Sequence, residues 1–83
     1  MHARVRFAMR SVQAVSWPPD APGVRAVRAA PFPHTYRLRA GRHRILFAWL
    51  PDVRLLVFTT AFLKRRSGDY VRAMERHRKR MRV

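Results

Sequence analysis

The N-terminal part of the chain carries apolar residues at the spacing of an α-helix. Within residues 1–15 they recur every three or four positions, at Val5, Met9, Val12 and Val15. This period predicts an amphipathic helix. A strand over residues 3–7 is an open alternative, because polar and apolar residues alternate there, but the helical period covers more of the chain.

A connecting segment is predicted after this helix. The prolines and the glycine of residues 17–23 cannot continue a helix, and residues 16–35 show no sustained period. We expect most of residues 16–35 to be connection, with Val24, Val27 and residues 31–33 lying over the core.

The middle of the chain has the pattern of β-strands. Apolar and β-branched residues predict strands at about 35–40, 43–50 and 53–62, joined by turns at Gly41 and at residues 50–52. Such short turns predict a three-stranded antiparallel meander. The third strand is apolar on both faces, which is typical of a central strand covered on two sides.

A second helix is predicted at the C-terminal end. A basic run at residues 64–66 ends the third strand, and Ser67 or Asp69 can cap a helix over residues 67–80. Its less polar stripe consists of Tyr70, Ala73, Met74 and His77. The whole pattern predicts one small α+β domain over residues 1–83, with the N-terminal helix packed on a sheet of three or more strands.

The excess of basic residues distinguishes this chain from an ordinary small domain. Nineteen Lys and Arg against four Asp and Glu give a formal net charge of +15, which indicates a polyanionic partner. Apart from Lys64 and Lys79 the basic residues are arginines. That preference suits bidentate contacts to phosphate, although a GC-rich genome would also produce it. Self-repulsion at this charge density predicts a bound acidic partner.

Several classes of site are not indicated by the sequence. The chain has no cysteine, and its four histidines lack the spacing of metal ligands. No apolar run approaches the ~18 residues of a membrane span. We therefore expect a cytoplasmic protein without a cofactor, a metal or a membrane partner.

The hairpin around Gly41 concentrates arginines on one face. Successive strand residues point to opposite sides, so Arg37 and Arg39 share a face and Arg44 lies on the face opposite His43. This alternation predicts a phosphate-binding sheet surface. It also places His43 away from the arginines, as a histidine at the rim of the core.

The ordered motifs resemble a known family. Residues 36–39, Gly41, residues 43–47, the apolar run 55–58 followed by residues 62–66, and Tyr70 come in that order. Over residues 24–80 this order resembles the RelE/ParE-type toxins of bacterial toxin–antitoxin pairs, and the sequence at residues 62–65 is similar to the HigB-like branch. Relatives usually carry a strand and a helical hairpin before the meander, and an aromatic residue at the position of His43.

The resemblance implies a RelE-like fold and a messenger-RNA interferase, a ribonuclease that cuts by attack of the 2′-hydroxyl and commonly acts on the ribosome. It implies five catalytic positions, namely Arg37, Arg39, Arg44, Arg65 and Tyr70. Arg65 is expected to be the main stabiliser of the transition state, or else a solvated charge at the strand end. Tyr70 is expected to stack on a base, to transfer a proton, or simply to pack on the sheet.

Further basic residues are expected to bind RNA without a chemical step. These are Lys64, Arg66, Arg76, Lys79 and Arg80. The resemblance also implies a cognate antitoxin with an acidic amphipathic segment. The alternatives are a ParE-like gyrase inhibitor and a relative without catalysis that binds an antitoxin or a nucleic acid.

Overall fold

The computed structural model of the chain describes residues 2–28 and 34–81. The predicted helices are confirmed as α1 (Ala3–Gln13) and α2 (Ser67–Met81), and the predicted strands as β2 (Thr35–Ala40), β3 (His43–Leu50) and β4 (Leu55–Leu63). Residues 31–33, expected to lie over the core, fall outside the described residues. Within the described part no helix is long and apolar enough to cross a membrane.

The segment predicted to be mostly connection contains two short regular elements. It forms a short 3-10 helix, Pro18–Asp20, and a strand, β1 (Val24–Ala26). β1 pairs antiparallel with β2, so the sheet has four strands in the order β1-β2-β3-β4. A strand of three residues is too short to show a period in the sequence, and its stability comes from the hydrogen bonds of its neighbour.

The prediction that the last strand is central was wrong. β4 lies at the edge of the sheet, and β3 is the strand whose residues 45–49 are all buried. β4 is apolar on both faces for a different reason. Leu56 and Phe58 pack into the core on the α1 side, while α2 covers the other face of the same strand. An edge strand with the core on one face and a helix on the other therefore has apolar residues on both sides.

The face of the sheet that packs on α1 forms the main hydrophobic core. Val5 and Val12 of α1 lie against Leu38, Ile45 and the other buried apolar residues of the strands. At the centre of this core the ring of Phe47 lies 5.5 Å from the rings of both Tyr36 and Phe58. The helical period in the sequence identified the packed face of α1 correctly.

A β-bulge interrupts the pairing of β3 with β4. Leu46 is opposite Thr60 and Phe47 is opposite Phe58, which leaves Thr59 as the extra residue. Paired residues share a face, so the bulge puts the consecutive residues Thr59 and Thr60 on the side of α2.

These threonines anchor α2 through polar contacts. The fully buried His77 is hydrogen-bonded through Nε2 to the Thr35 hydroxyl at 3.0 Å and through Nδ1 to the Thr59 hydroxyl at 2.5 Å. Burial lowers the pKa of His77 below its usual range. One turn further on, the guanidinium of Arg80 donates to the backbone carbonyl of Thr59 and to the Thr60 hydroxyl. The helix that carries Tyr70 is thus fixed to the sheet by a polar network.

The start of α2 is set by Asp69. Its carboxylate accepts hydrogen bonds from the backbone N–H groups of Arg65 at 2.8 Å and Arg66 at 3.1 Å. These backbone bonds, with Arg72 beside them, lower the pKa of Asp69 below its usual range. Asp69 is the third residue of α2, so it stabilises the helix start by reaching back to N–H groups that precede the helix, as in a capping box, and not as the N-cap residue that the sequence predicted.

Candidate nucleic-acid interface

Strand pairing brings four arginines to one face of the sheet. Arg25 on β1 is opposite Arg37 on β2, and Arg39 on β2 is opposite Arg44 on β3. Paired residues lie on the same face, and α2 with Tyr70 packs on this side. The predicted common face of Arg37, Arg39 and Arg44 is confirmed.

The arginines line a pocket of about 480 Å³. Its walls are formed by Gly23, Val24, Arg25, Arg37, Arg39, Arg44 and Lys64. Gly23 has a φ of +82°, and a Cβ there would lie 3.2 Å from the carbonyl oxygen of Arg39. A glycine allows the chain to pass this close to β2, so that β1 can carry Arg25 to the pocket.

Two of the arginines are oriented by hydrogen bonds. Nη1 of Arg44 donates to the carbonyl oxygens of Gly41 at 2.8 Å and His43 at 2.9 Å. Nη1 of Arg37 donates to the hydroxyl oxygen of Tyr70 at 3.0 Å. Both guanidinium groups retain further N–H donors with which to bind a ligand.

Tyr70 connects α2 to the basic cluster. The guanidinium carbon of Arg37 lies 5.6 Å from the centre of its ring, and Nζ of Lys64 lies 5.3 Å from it. The ring of Phe62 packs edge-on at 5.2 Å. Because Tyr70 accepts a hydrogen bond from Arg37, its own hydroxyl proton is available to another acceptor.

No carboxylate neutralises the pocket. The four acidic residues of the chain all lie in the described part, and none of them lines it. Asp69 pairs with Arg72 at 2.7 Å and Glu75 with Arg78 at 2.6 Å, both along the surface of α2. Five cations therefore face one cavity. This arrangement suits a ligand with more than one negative charge, and its oriented guanidinium groups match the oxygens of a phosphodiester.

The other predicted site residues lie apart from this pocket. Arg65 and Arg66 are exposed at the start of α2 and do not line the pocket. Arg76 and Lys79 are exposed on α2, and Arg80 contacts Thr59 and Thr60. The catalytic position predicted at Arg65 thus stays a prediction without a contact to the cluster.

Sequence reasoning missed Arg25 as a member of the cluster. The segment Val24–Ala26 is too short for a strand signal, although Gly23 directly before it marks a turn. His77 was predicted only as part of the helix stripe, and its role between two hydroxyl groups depends on the β-bulge.

His43 lies half-buried on the other side of β3 from Arg44, as predicted. Its ring is 4.5 Å from the ring of His2, whose Nδ1 caps α1 by accepting from the N–H of Arg4. Within residues 2–28 and 34–81, no group of three or more His, Asp or Glu side chains is placed to hold a metal ion.

Comparison with protein-family models, with curated proteins and with solved structures gave no significant match to this chain.

Proposed function

We propose that the basic pocket binds a phosphodiester of RNA and that the chain is a metal-independent endoribonuclease, the toxin of a type II toxin–antitoxin pair. The observation that carries the proposal is the pocket itself, in which Arg37, Arg39, Arg44 and Lys64 meet beside the hydroxyl of Tyr70. The α+β order of elements is compatible with the RelE-like fold that the sequence motifs imply.

The proposed reaction needs charge stabilisation above all. The 2′-oxygen attacks the adjacent phosphorus, the bond from phosphorus to the 5′-oxygen breaks, and the products are a 2′,3′-cyclic phosphate and a 5′-hydroxyl. Negative charge builds up on the phosphoryl oxygens in the transition state. Arg39 and Arg44 are placed on adjacent strands to donate to these oxygens, which is the kind of stabilisation that dominates such catalysis.

Tyr70 is the group proposed to donate the proton that the leaving 5′-oxygen needs. Its hydroxyl oxygen already accepts from Arg37, so its proton is directed to a different acceptor. The proton released by the 2′-hydroxyl passes to water, and water then restores the proton of Tyr70. The arginines stay protonated throughout because their pKa is above 12.

A second candidate is an RNA-binding protein without catalysis. One observation favours this candidate: no carboxylate or histidine lines the pocket to serve as a general base. The pocket holds cations, with Tyr70 beside them. Binding of RNA through the same residues then needs no proton transfer.

The test is an incubation of the purified protein with messenger RNA, with and without translating ribosomes, followed by mapping of new 5′ ends. We expect cuts that leave a 2′,3′-cyclic phosphate and persist in a chelator. Arg44→Ala and Tyr70→Phe should reduce cleavage by at least about a hundredfold, the lower end of what one positioned group contributes. Arg65→Ala tests the remaining predicted catalytic position.

Arg10→Ala is the matched control, because Arg10 is an exposed arginine on α1, away from the pocket. Cleavage only on ribosomes would make the protein a ribosome-dependent interferase. RNA binding that depends on Arg44 without any cleavage would select the second candidate. If neither binding nor cleavage depends on Arg44, the proposal is wrong, and a gyrase-directed toxin becomes the next candidate to test.

The proposed antitoxin would place an acidic amphipathic segment against this surface. The charge of +15 supports that proposal, as do exposed apolar residues such as Phe7 on α1. A protein that stays monomeric, folded and soluble alone at low salt would count against an obligatory acidic partner.

A further inference from the structure

A second cavity, of about 540 Å³, adjoins the basic pocket. It lies between the end of β1 and the first turns of α2, and its apolar walls come from Ala26, Val27, Val71 and Met74. Its volume falls in the range of small-molecule sites. We refer to it as the apolar groove.

The apolar groove and the basic pocket are adjacent. Arg37 lines both of them, and Tyr70 lines the groove while its hydroxyl accepts from Arg37. A ligand that bridges the two cavities therefore needs an anionic part joined directly to a flat apolar part. A nucleotide has this composition, because its phosphate is bonded through one sugar to a base.

The charges decide which part of a nucleotide enters which cavity. The basic pocket has cations and no carboxylate, so it attracts phosphate. Arg28 also lines the groove, but Glu75 lines it too, with a carboxylate held by Arg78 at 2.6 Å, so the groove attracts phosphate less than the five cations of the basic pocket do. The exposed methyl groups of Val71 and the thioether of Met74 offer contacts that suit the face of an aromatic ring.

We propose that the apolar groove is a nucleobase subsite, which holds the base of the nucleotide whose phosphate lies in the basic pocket. This inference rests on the proposed function only in requiring that the basic pocket binds the phosphates of a nucleic acid. It does not require cleavage. Contact between the groove and the flat face of a base adds to the affinity for the nucleic acid, and every base has such a face.

The test uses a single-stranded tetranucleotide with 2′-deoxyribose, which cannot be cut by attack of a 2′-hydroxyl. Its affinity is measured by fluorescence anisotropy and compared with four versions that each lack one base. We expect one abasic position to weaken binding by about tenfold, as base contacts of this kind contribute to affinity.

The key variant is Val71→Ser, because Val71 is 71% exposed and can be changed without disturbing the core. It should weaken binding of the intact probe severalfold and leave unchanged the binding of the probe that lacks the critical base. Val53→Ser is the matched control, since Val53 is 69% exposed in the turn between β3 and β4. We expect the same affinities for this control as for the unmodified protein.

Two results would overturn the inference alone. One is equal affinity for all abasic probes, and the other is a loss in Val71→Ser that is the same for intact and abasic probes. The same titration with Arg44→Ala separates these from failure of the proposed function. If Arg44→Ala binds the intact probe as well as the unmodified protein does, the phosphate pocket itself is refuted.

Discussion

The two faces of the sheet are built from alternate residues of the same strands, yet they differ in kind. The face toward α1 is an apolar core, in which Leu38, Ile45 and Phe47 are buried. The face toward α2 is polar over much of its area, with His77 fixed between hydroxyl groups at one end and the arginine cluster at the other.

The two faces therefore contribute differently to stability and to binding in this chain of 83 residues. Burial on the α1 side supplies most of the hydrophobic stabilisation, which in so small a domain is limited. The α2 side carries opposed like charges, Arg25 with Arg37 and Arg39 with Arg44, which lower stability. Most of the hydrophobic stabilisation therefore comes from the α1 side, while the α2 side combines a smaller buried part, which includes Leu46 and Ala73, with the binding residues.

The largest expected effect comes from Phe47→Ala. Phe47 is fully buried in the α1 core, and truncation of such a ring costs ~3–5 kcal/mol. Against a total stability of ~5–15 kcal/mol, this loss is a large fraction of what keeps so small a domain folded. Urea unfolding followed by tryptophan fluorescence measures it. Phe62→Ala is the control on the opposite face, where the ring is only half-buried, and an equal loss there would contradict the division between faces.

A smaller effect is expected from pH, through His77. Its pKa is lowered by burial, so below the ordinary value of 6.5 the unfolded chain takes up a proton that the folded protein resists. The free energy of unfolding should therefore fall as the pH drops from about 7.5 to about 5. His77→Gln should remove this slope, and urea midpoints at a series of pH values measure it.

Asp69 provides an internal contrast for the pH series. Its pKa is lowered, so its contribution is present above the ordinary value of 3.8 and is lost only as the pH falls below it. An unchanged slope between about pH 7.5 and about pH 5 in His77→Gln would contradict the assignment of the effect to His77.

The smallest expected effect has the opposite sign. Arg39→Gln removes the repulsion with Arg44 and should raise the free energy of unfolding by a few tenths of a kcal/mol. The same variant should weaken RNA binding and reduce the slope of log affinity against log salt by about 0.7. Urea unfolding and a salt titration of RNA binding give the two values. A loss of stability in Arg39→Gln, with Arg10→Gln unchanged, would show that Arg39 supports the fold.

Elements with a sustained period could be predicted from the sequence. Helices α1 and α2 and strands β2 and β3 follow from apolar spacing, and the common face of Arg37, Arg39 and Arg44 follows from alternation. These features depend on local geometry, which repeats every two residues in a strand and every 3.6 in a helix. The sequence therefore identified four of the five cations of the pocket, namely Arg37, Arg39, Arg44 and Lys64.

The remaining features depend on contacts between distant residues. β1 exists because β2 pairs with it, and only that pairing brings Arg25 into the pocket. The edge position of β4 was not evident because the core lies against one face of this strand and α2 against the other, so apolar residues occur on both faces although most are only partly buried. The separation of Arg65 from the cluster follows from the turn into α2 that Asp69 fixes.

The extra residue, Thr59, changes which alternate residues of β4 face α1. Up to Phe58 one set of alternate positions faces α1, and from Thr60 onward the other set does, so Ala61 faces α1 and Phe62 meets Tyr70. Most substitutions in this strand alter one contact. Deletion of Thr59 would join Phe58 to Thr60 in a regular strand, so the residues up to Leu63 would keep their sides and only the contacts of Thr59 to His77 and Arg80 would be lost.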